Sequence, residues 1–599
     1  MLRVVRPISL ERVSYPAVAL PLLLCLGGAL FLLNLGGYPI YTTGEAREAV
    51  TVADMLRGGG FILPLRAGVE IPSKPLLMHW TCALVSLVAG RLNGWTVRLP
   101  SALFAICGVL LEYLYLRQLF DQRRALLAAL ILATNIQYLQ AGRGARVDMA
   151  LTLFIEVALF EFLRCAEGLG GSPMLAYLAA ALAVLTKGPV GLFLPVAIAA
   201  AWLTWERRWR LAGKLRLGAG AVLVLAIDGG WYIGAIWRGG MAFVRKQILA
   251  ENLFRLLPSH TFHEGHAHPF YWMEAALLVG FVPWSLFIPA GAAALLEKRV
   301  RLDARIRYLV LWLAVVLLFY NLPRSKRGVY LLALYPALSA LMAFCISGCL
   351  SADRTRRWVA ATTRLCGGVL AFGGFVAAGM LAALHGSATA SLSRMLWRLG
   401  VRVPGLLDRL LQTPIFLQTL TIALLVVAVG FGLYAAFYRS PGDGVVAVLA
   451  CGIAALMTAL SIAVEPAIGQ TLSLKDFARR AVRIIDDHSA AYLPGVNYEI
   501  AFYGGKDFPV LWRNAPTKPD YLLCRAAVYQ SMGPGAHRNL ELVTESGPTN
   551  LDGRGAMVLL RRRTAAATGA TPARRLLETP ASRRSAKKAQ PGAGGLPRP

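Results

Sequence analysis

The sequence predicts an all-α polytopic membrane protein of about thirteen transmembrane helices, followed by a small α/β unit. Three observations carry this. Of 599 residues, 57% are apolar and only 16% are charged, well under the roughly 25% charge of an average soluble protein. Apolar runs of roughly 17–25 residues, allowing for compact ends, recur along the chain, and that is the length a bilayer requires. After about residue 465 the long runs give way to polar sequence with short alternating apolar pieces. The same figures exclude disorder, collagen and a disulfide scaffold.

The runs lie near 16–34, 99–118, 125–140, 149–164, 174–187, 188–204, 217–237, 271–293, 308–322, 328–349, 358–384, 414–437 and 444–464. The first is long and has no small-residue cleavage site, so it reads as a retained span and not as a signal peptide. Net charge is +30, and its distribution sets the topology. Arg3/Arg6/Arg12, Arg123–Arg124, Arg207–Arg216, Lys298–Arg307 and Arg354–Arg357 all fall on one side, the cytoplasmic side by the positive-inside rule. Counting 76–90 as a span would invert every later loop, so this run is expected to lie flat at the interface. Outward segments are then 35–98, 141–148, 238–270, Asn321–Arg327, 385–413 and everything after about 465.

Three regions follow. Residues 1–464 form the membrane domain, with interfacial helices in the loop 35–98. Residues 465–560 read as an outward α/β domain. It has a helix-like opening (Lys475 to Asp487) and strand-like pieces at Ala491–Leu493, Tyr521–Leu523 and Ala556–Leu560, and its length can hold a modest core. Residues 561–599 carry ten Lys/Arg against Glu578 alone, in an Ala/Gly/Pro/Ser-rich tail with little to bury, which predicts disorder. Such a tail suits anionic lipid or lipopolysaccharide at least as well as nucleic acid, and no nucleic-acid partner is expected. The nine cysteines sit mostly in apolar runs without zinc-like spacing and read as small hydrophobes.

Several residues are placed to do chemistry. Asp148, in Gly142-Arg143-Gly144-Ala145-Arg146-Val147-Asp148, opens a span, and a carboxylate at membrane depth marks function by default; a helix N-terminal acid favoured by the macrodipole is the bland alternative. Glu45 and Arg47 lie in Thr42-Thr43-Gly44-Glu45-Ala46-Arg47-Glu48-Ala49, where a Thr-capped helix start would also explain the acids. Lys74 precedes the interfacial run and would ordinarily be a snorkelling anchor. Lys187, Arg255, Arg324, Lys326 and Arg327 gather at outward ends of spans, where cations are scarce, and a lipid phosphate would give them a partner. His260, His263, His266 and His268 cluster near Glu264, so His266 and His268 are candidate ligands for a divalent metal such as zinc. No P-loop or dinucleotide fingerprint is present, and no other cofactor is indicated.

Taken in order, the Glu45–Arg47 helix, Lys74-Pro75-Leu76 with Trp80, and Arg98-Leu99-Pro100-Ser101 resemble the bacterial arm of the protein-mannosyltransferase superfamily, in particular the lipid A aminoarabinose (4-amino-4-deoxy-L-arabinose) transferase family. Agreement continues through Arg146/Asp148, Leu185-Thr186-Lys187-Gly188, Glu251–Arg255, His268-Pro269, Pro283-Trp284 and Lys326 to Pro336. The resemblance implies a GT-C glycosyltransferase fold in the bacterial inner membrane, with active site and C-terminal domain facing the periplasm. It implies a polyprenyl-phosphate sugar donor and a lipid A-like or other envelope acceptor. Lys187, Arg255 and Tyr330, with Lys326, match positions that hold the carrier phosphate; Arg47, Lys74 and Asp148 match the active site, with Asp148 or Glu45 as general base. The chain departs from the family at Gly44, where an acid is usual, at Ser73 and Leu76 in the Glu-Lys-Pro-Pro segment, and at Asn252, where a histidine is common. Two other readings remain: transfer of the sugar to protein, or a transporter or flippase of a lipid-linked substrate. The latter would be expected to show repeat-related halves, and none is visible.

Overall fold

The computed structural model describes residues 15–253, 268–295, 303–323, 325–349, 444–511, 518–547 and 556–563. The expected spans 358–384 and 414–437, the tail beyond 563, and Arg255, His260, His263, Glu264, His266 and Arg324 lie outside them.

The helical part begins with α1 (Tyr15–Gly27), prolonged by a π-turn to Leu32. The first loop folds into α2 (Thr43–Asp54) and α3 (Leu77–Val88). At twelve residues α3 is about 18 Å long, too short to cross roughly 30 Å of hydrocarbon, and the exposed Leu84, Leu87 and Val88 suit the interfacial placement expected for 76–90. Then come α4 (Gly94–Leu119), α5 (Gln122–Thr134), α6 (Ile136–Arg143), α7 (Val147–Ala166), α8 (Pro173–Lys187), α9 (Val190–Trp205) and α10 (Leu217–Phe243). Among the described residues, Gly94–Leu119, Leu217–Asn252, Ala304–Asn321 and Gly328–Ser347 are each long and apolar enough to cross a membrane, and α5 with α6 makes a fifth if that bent pair is one span.

Two runs expected to be continuous are broken. The run 125–140 bends by 64° between α5 and α6. There Asn135 leaves the helix, its side chain accepts the Tyr138 N–H at 2.9 Å and donates to the Leu132 carbonyl at 2.7 Å, so the side chain ends one helix and caps the next. The run 271–293 divides into α11 (Trp272–Gly280) and α12 (Ile288–Leu295) around Pro283, which has no N–H to continue a helix. Next follow α13 (Ala304–Asn321), a 3-10 turn (Gly328–Leu334), α14 (Tyr335–Cys349) and α15 (Gly444–Leu472).

The last segment opens with α16 (Lys475–Ile485) and builds a four-stranded sheet of order β1-β2-β4-β3. Strands β1 (Ala490–Leu493) and β2 (Tyr521–Arg525) are parallel; β4 (Met557–Arg562) is antiparallel to both β2 and β3 (Leu540–Glu545). One sheet face packs Tyr492, Leu523 and Leu559 against Phe477, Ala481 and Ile485 of α16. The other buries Leu522, Val558 and Leu560 under α18 (Ala526–Gln530) and α19 (Pro534–Asn539). Between β1 and β2, α17 (Tyr498–Gly504) lies on the first loop, where Ala501 meets Val50 of α2.

Candidate active site

Antiparallel neighbours α7 and α8 bring the start of one beside the end of the other. Asp148 lies in the first turn of α7 and Lys187 is the last residue of α8, the positions the two helix dipoles favour for an acid and a base. The two side chains form a direct ion pair, each all but buried. The Lys187 ammonium lies 4.3 Å from the ring centre of Tyr330 and 5.9 Å from that of Tyr320, a cation–π arrangement. Gly188 closes α8 with φ +89°, and a Cβ there would stand 3.2 Å from the Asn252 side-chain oxygen. The π-helical segment Val244–Leu253 thereby reaches the Lys187 end of α8.

That segment also holds the loop bearing Lys74. Gln247 donates to the Pro72 carbonyl at 3.0 Å and Glu251 pairs with Lys74 at 3.5 Å. Contacts thus run from Lys74 through Glu251 and Asn252 to Gly188, Lys187 and Asp148. Arg47 on α2 belongs to the same field. Its charge is reinforced chiefly by Glu48, burial opposing, with smaller contributions from Tyr498 and Glu251.

Glu45 has a different situation from a free base. Its two oxygens accept Arg98 Nε at 2.9 Å and Nη2 at 3.1 Å, and one also accepts the Ala145 N–H at 3.1 Å. Arg98 completes its fork on the carbonyls of Leu35, Tyr38 and Pro39 at 2.9–3.3 Å and lies 3.9 Å from the Tyr38 ring centre. Burial alone would raise the Glu45 pKa, yet Arg98 and the Ala145 N–H hold it below the usual carboxylate range. The pair ties α2 to α4 and the α6–α7 turn. Glu48, one turn on, accepts His79 Nε2 at 2.6 Å and Arg47 Nε and Nη2 at 3.2 Å each.

The structure therefore gathers Asp148, Lys187, Tyr330, Lys74 and Arg47 at one end of the bundle. Lys326 is buried and donates to the Pro323 carbonyl at 2.8 Å. His268 stacks on Trp272 with ring centres 4.3 Å apart, and among the described residues no three His, Cys, Asp or Glu side chains converge as metal ligands. With Ser73 in place of a carboxylate beside Lys74, the described residues supply no donor set for a metal. Sequence reasoning missed Tyr320, the Glu48–His79 pair and the partner of Arg98. Tyr320 had a signal, an aromatic at a span end. The other two are contacts over 31 and 53 residues of separation, which no local pattern encodes.

Comparison with known proteins bears on the fold and on the chain's relatives. The dolichyl-phosphate-mannose-protein mannosyltransferase family model matches residues 73–246. An undecaprenyl phosphate-alpha-4-amino-4-deoxy-L-arabinose arabinosyl transferase of Pseudomonas fluorescens is 31% identical over 348 residues, 56% of this chain and 61% of that protein. A similar enzyme of Pseudomonas aeruginosa is 30% identical over 330 residues, 54% of this chain and 58% of that protein. The chain thus matches about three fifths of the length of these curated relatives. The crystal structure of ArnT from Cupriavidus metallidurans bound to undecaprenyl phosphate superposes with a TM-score of 0.71 at 18% identity, covering 92% of this chain and 98% of that one. By these comparisons the chain has the GT-C glycosyltransferase fold and resembles the undecaprenyl phosphate–aminoarabinose transferases.

Proposed function

We propose that the chain is a membrane glycosyltransferase that moves a sugar from a polyprenyl-phosphate donor to an acceptor in the envelope, a lipid A-like glycolipid in the first instance, at the periplasmic face of the inner membrane. The observation that carries this is Lys187, a buried ammonium with one carboxylate partner and two tyrosine rings among the described residues. An ammonium has three donors, so the Asp148 pair leaves donors for a phosphate. The relatives' named use of an undecaprenyl-phosphate-linked sugar supports the same donor class.

In the reaction the bond from the anomeric carbon to the phosphate oxygen breaks, and the bonding pair leaves with the phosphate. Lys187, with Arg255 and Lys74, stabilises that developing charge, and a preorganised site of low dielectric makes each such contact count. The anomeric carbon passes through an oxocarbenium-like state, and the acceptor oxygen bonds to it from the opposite face with inversion. For a hydroxyl acceptor the proton goes to Asp148; a phosphate acceptor needs no strong base, and Asp148 then orients Lys187. Glu45 serves this reading as the clamp that positions α2 and Arg47. No step runs through a metal.

The test is release of free polyprenyl phosphate by the purified full-length protein in detergent, with radiolabelled polyprenyl-phosphate sugars as donors. Turnover that is lost in Asp148→Asn and Lys187→Ala, with folding kept, supports the reading. Binding of polyprenyl phosphate without release from any donor favours a transporter, and glycopeptides that vanish from a deletion strain would move the acceptor from lipid to protein.

A further inference from the structure

Two cavities adjoin at the end of α8 remote from Lys187, about 22 Å away by helix rise. The inner one, about 300 Å³, is walled by Ala176, Ala180, Pro195, Ala199 and their neighbours from α7 to α10, with no charged side chain. It follows α8 from Pro173 to Ala180, roughly two turns into the bundle. The outer one, about 440 Å³, shares Phe162, Pro173 and Leu215 with it. Its wall carries Lys214, Arg216, Ser172 and the Gly168–Gly171 turn, and no acid.

The charges there are unevenly spent. Every nearby carboxylate is committed: Glu161 to Arg164 at 2.6 Å and to the Ser172 N–H at 2.7 Å, Glu167 to Arg208 at 3.1 Å, and Glu206 to Arg307 at 2.8 Å. Lys214 and Arg216 are exposed and pair with no carboxylate among the described residues. Trp209 and Leu217, both more than half exposed, border the inner cavity. Basic groups on the outer cavity, with a half-exposed tryptophan and carbon lining on the inner one, suit the polarity change of a membrane interface.

We propose that this pair of cavities binds one anionic phospholipid, its phosphate between Lys214 and Arg216 and one acyl chain in the slot along α8. A free phosphate would leave the slot unused, and a zwitterionic lipid would leave the two cations without a net anion. The site is separate from the proposed active site and does not depend on it.

The experiment uses the delipidated full-length protein in detergent, titrated with phosphatidylglycerol or phosphatidylcholine of equal chain length and read by native mass spectrometry. Wild type prefers phosphatidylglycerol. Replacing both cations (Lys214→Gln with Arg216→Gln) lowers phosphatidylglycerol affinity about thirtyfold, from the worth of two interfacial cations, and leaves phosphatidylcholine binding unchanged. Filling the slot with Ala176→Phe weakens both lipids while the headgroup preference persists. Unchanged elution and thermal unfolding of the variants separate loss of the site from loss of the fold. Equal affinity of wild type for the two lipids would overturn the proposal. So would displacement by glycerol phosphate, which means an anion site only, or competition in which polyprenyl phosphate binds more tightly and through the same two cations.

Discussion

Two buried ion pairs lie close together in this molecule, and they differ in how completely they are satisfied. Arg98 has five donors, and all of them end on Glu45 or on the carbonyls of residues 35–39, while Glu45 takes a third hydrogen bond from Ala145. Lys187 meets one carboxylate and two aromatic rings. A saturated pair has nothing left to offer a ligand and acts as a joint. An unsaturated one keeps donors in a low-dielectric site, where they are worth most. On the proposed reading, Glu45 takes the structural part and Asp148 the chemical one.

The sharpest way to break that assignment is to compare the two pairs directly. Lys187→Ala is expected to reduce turnover by about 10²–10³, the usual effect of removing one electrostatic donor from a transition state, while thermal unfolding falls less than in the second pair, because the Asp148 carboxylate it strands keeps the support of the α7 N-terminus. Arg98→Met is expected to do the reverse. It strands the buried Glu45 carboxylate and should destabilise by about 3–5 kcal/mol. The double replacement Glu45→Leu with Arg98→Met should recover much of that stability, since an apolar pair can replace a buried ion pair at little cost. If Arg98→Met instead left stability intact and abolished turnover, the joint would belong to the catalytic machinery.

How much of this was legible follows the same division. Local signals were read well. Apolar runs located α4 and α7–α10, and the run 76–90, which charge parity kept out of the spans, forms a helix of only twelve residues. The strand-like pieces near 491, 521 and 556 coincide with β1, β2 and β4. Asp148 and Lys187 stood out because each breaks the expectation for a span end. The bend at Asn135 and the break at Pro283 were also written locally, in a capping side chain and an imino acid, but a count of apolar residues overlooks both. What the sequence did not disclose was pairing at a distance. No local pattern pairs Glu45 with Arg98, 53 residues away, and α17 gives no sign that it will cover α2.

A second contrast lies within α2. Glu48 carries a buried carboxylate that burial would push up, but Arg47 and His79 bring its pKa well below the usual range. Its folded pKa is depressed, so its contribution is present above the ordinary glutamate value of 4.5 and is lost as pH falls below it. Glu48→Gln should cost about 2 kcal/mol at neutral pH through its charge-assisted hydrogen bonds, and it should loosen Arg47. A rise in KM with kcat kept would show Arg47 acting in binding; an unchanged KM would remove Arg47 from the site.

Asp54, two turns further along α2, should show the opposite sign with the smallest effect. One oxygen accepts Arg57 at 3.0 Å, while the other is buried. Burial, with the neighbouring Asp507 charge, lifts its pKa from 3.8 to about 6. The folded state therefore holds this proton more tightly than the unfolded chain, and stability declines as pH rises from about 4 to about 6. Asp54→Asn keeps the shape and removes the titration. The difference in unfolding temperature between variant and wild type should grow over that window and stay constant above it. A difference that is flat from pH 4 to 7 would mean that Asp54 is charged throughout, and that Arg57 satisfies it as fully as Arg98 satisfies Glu45.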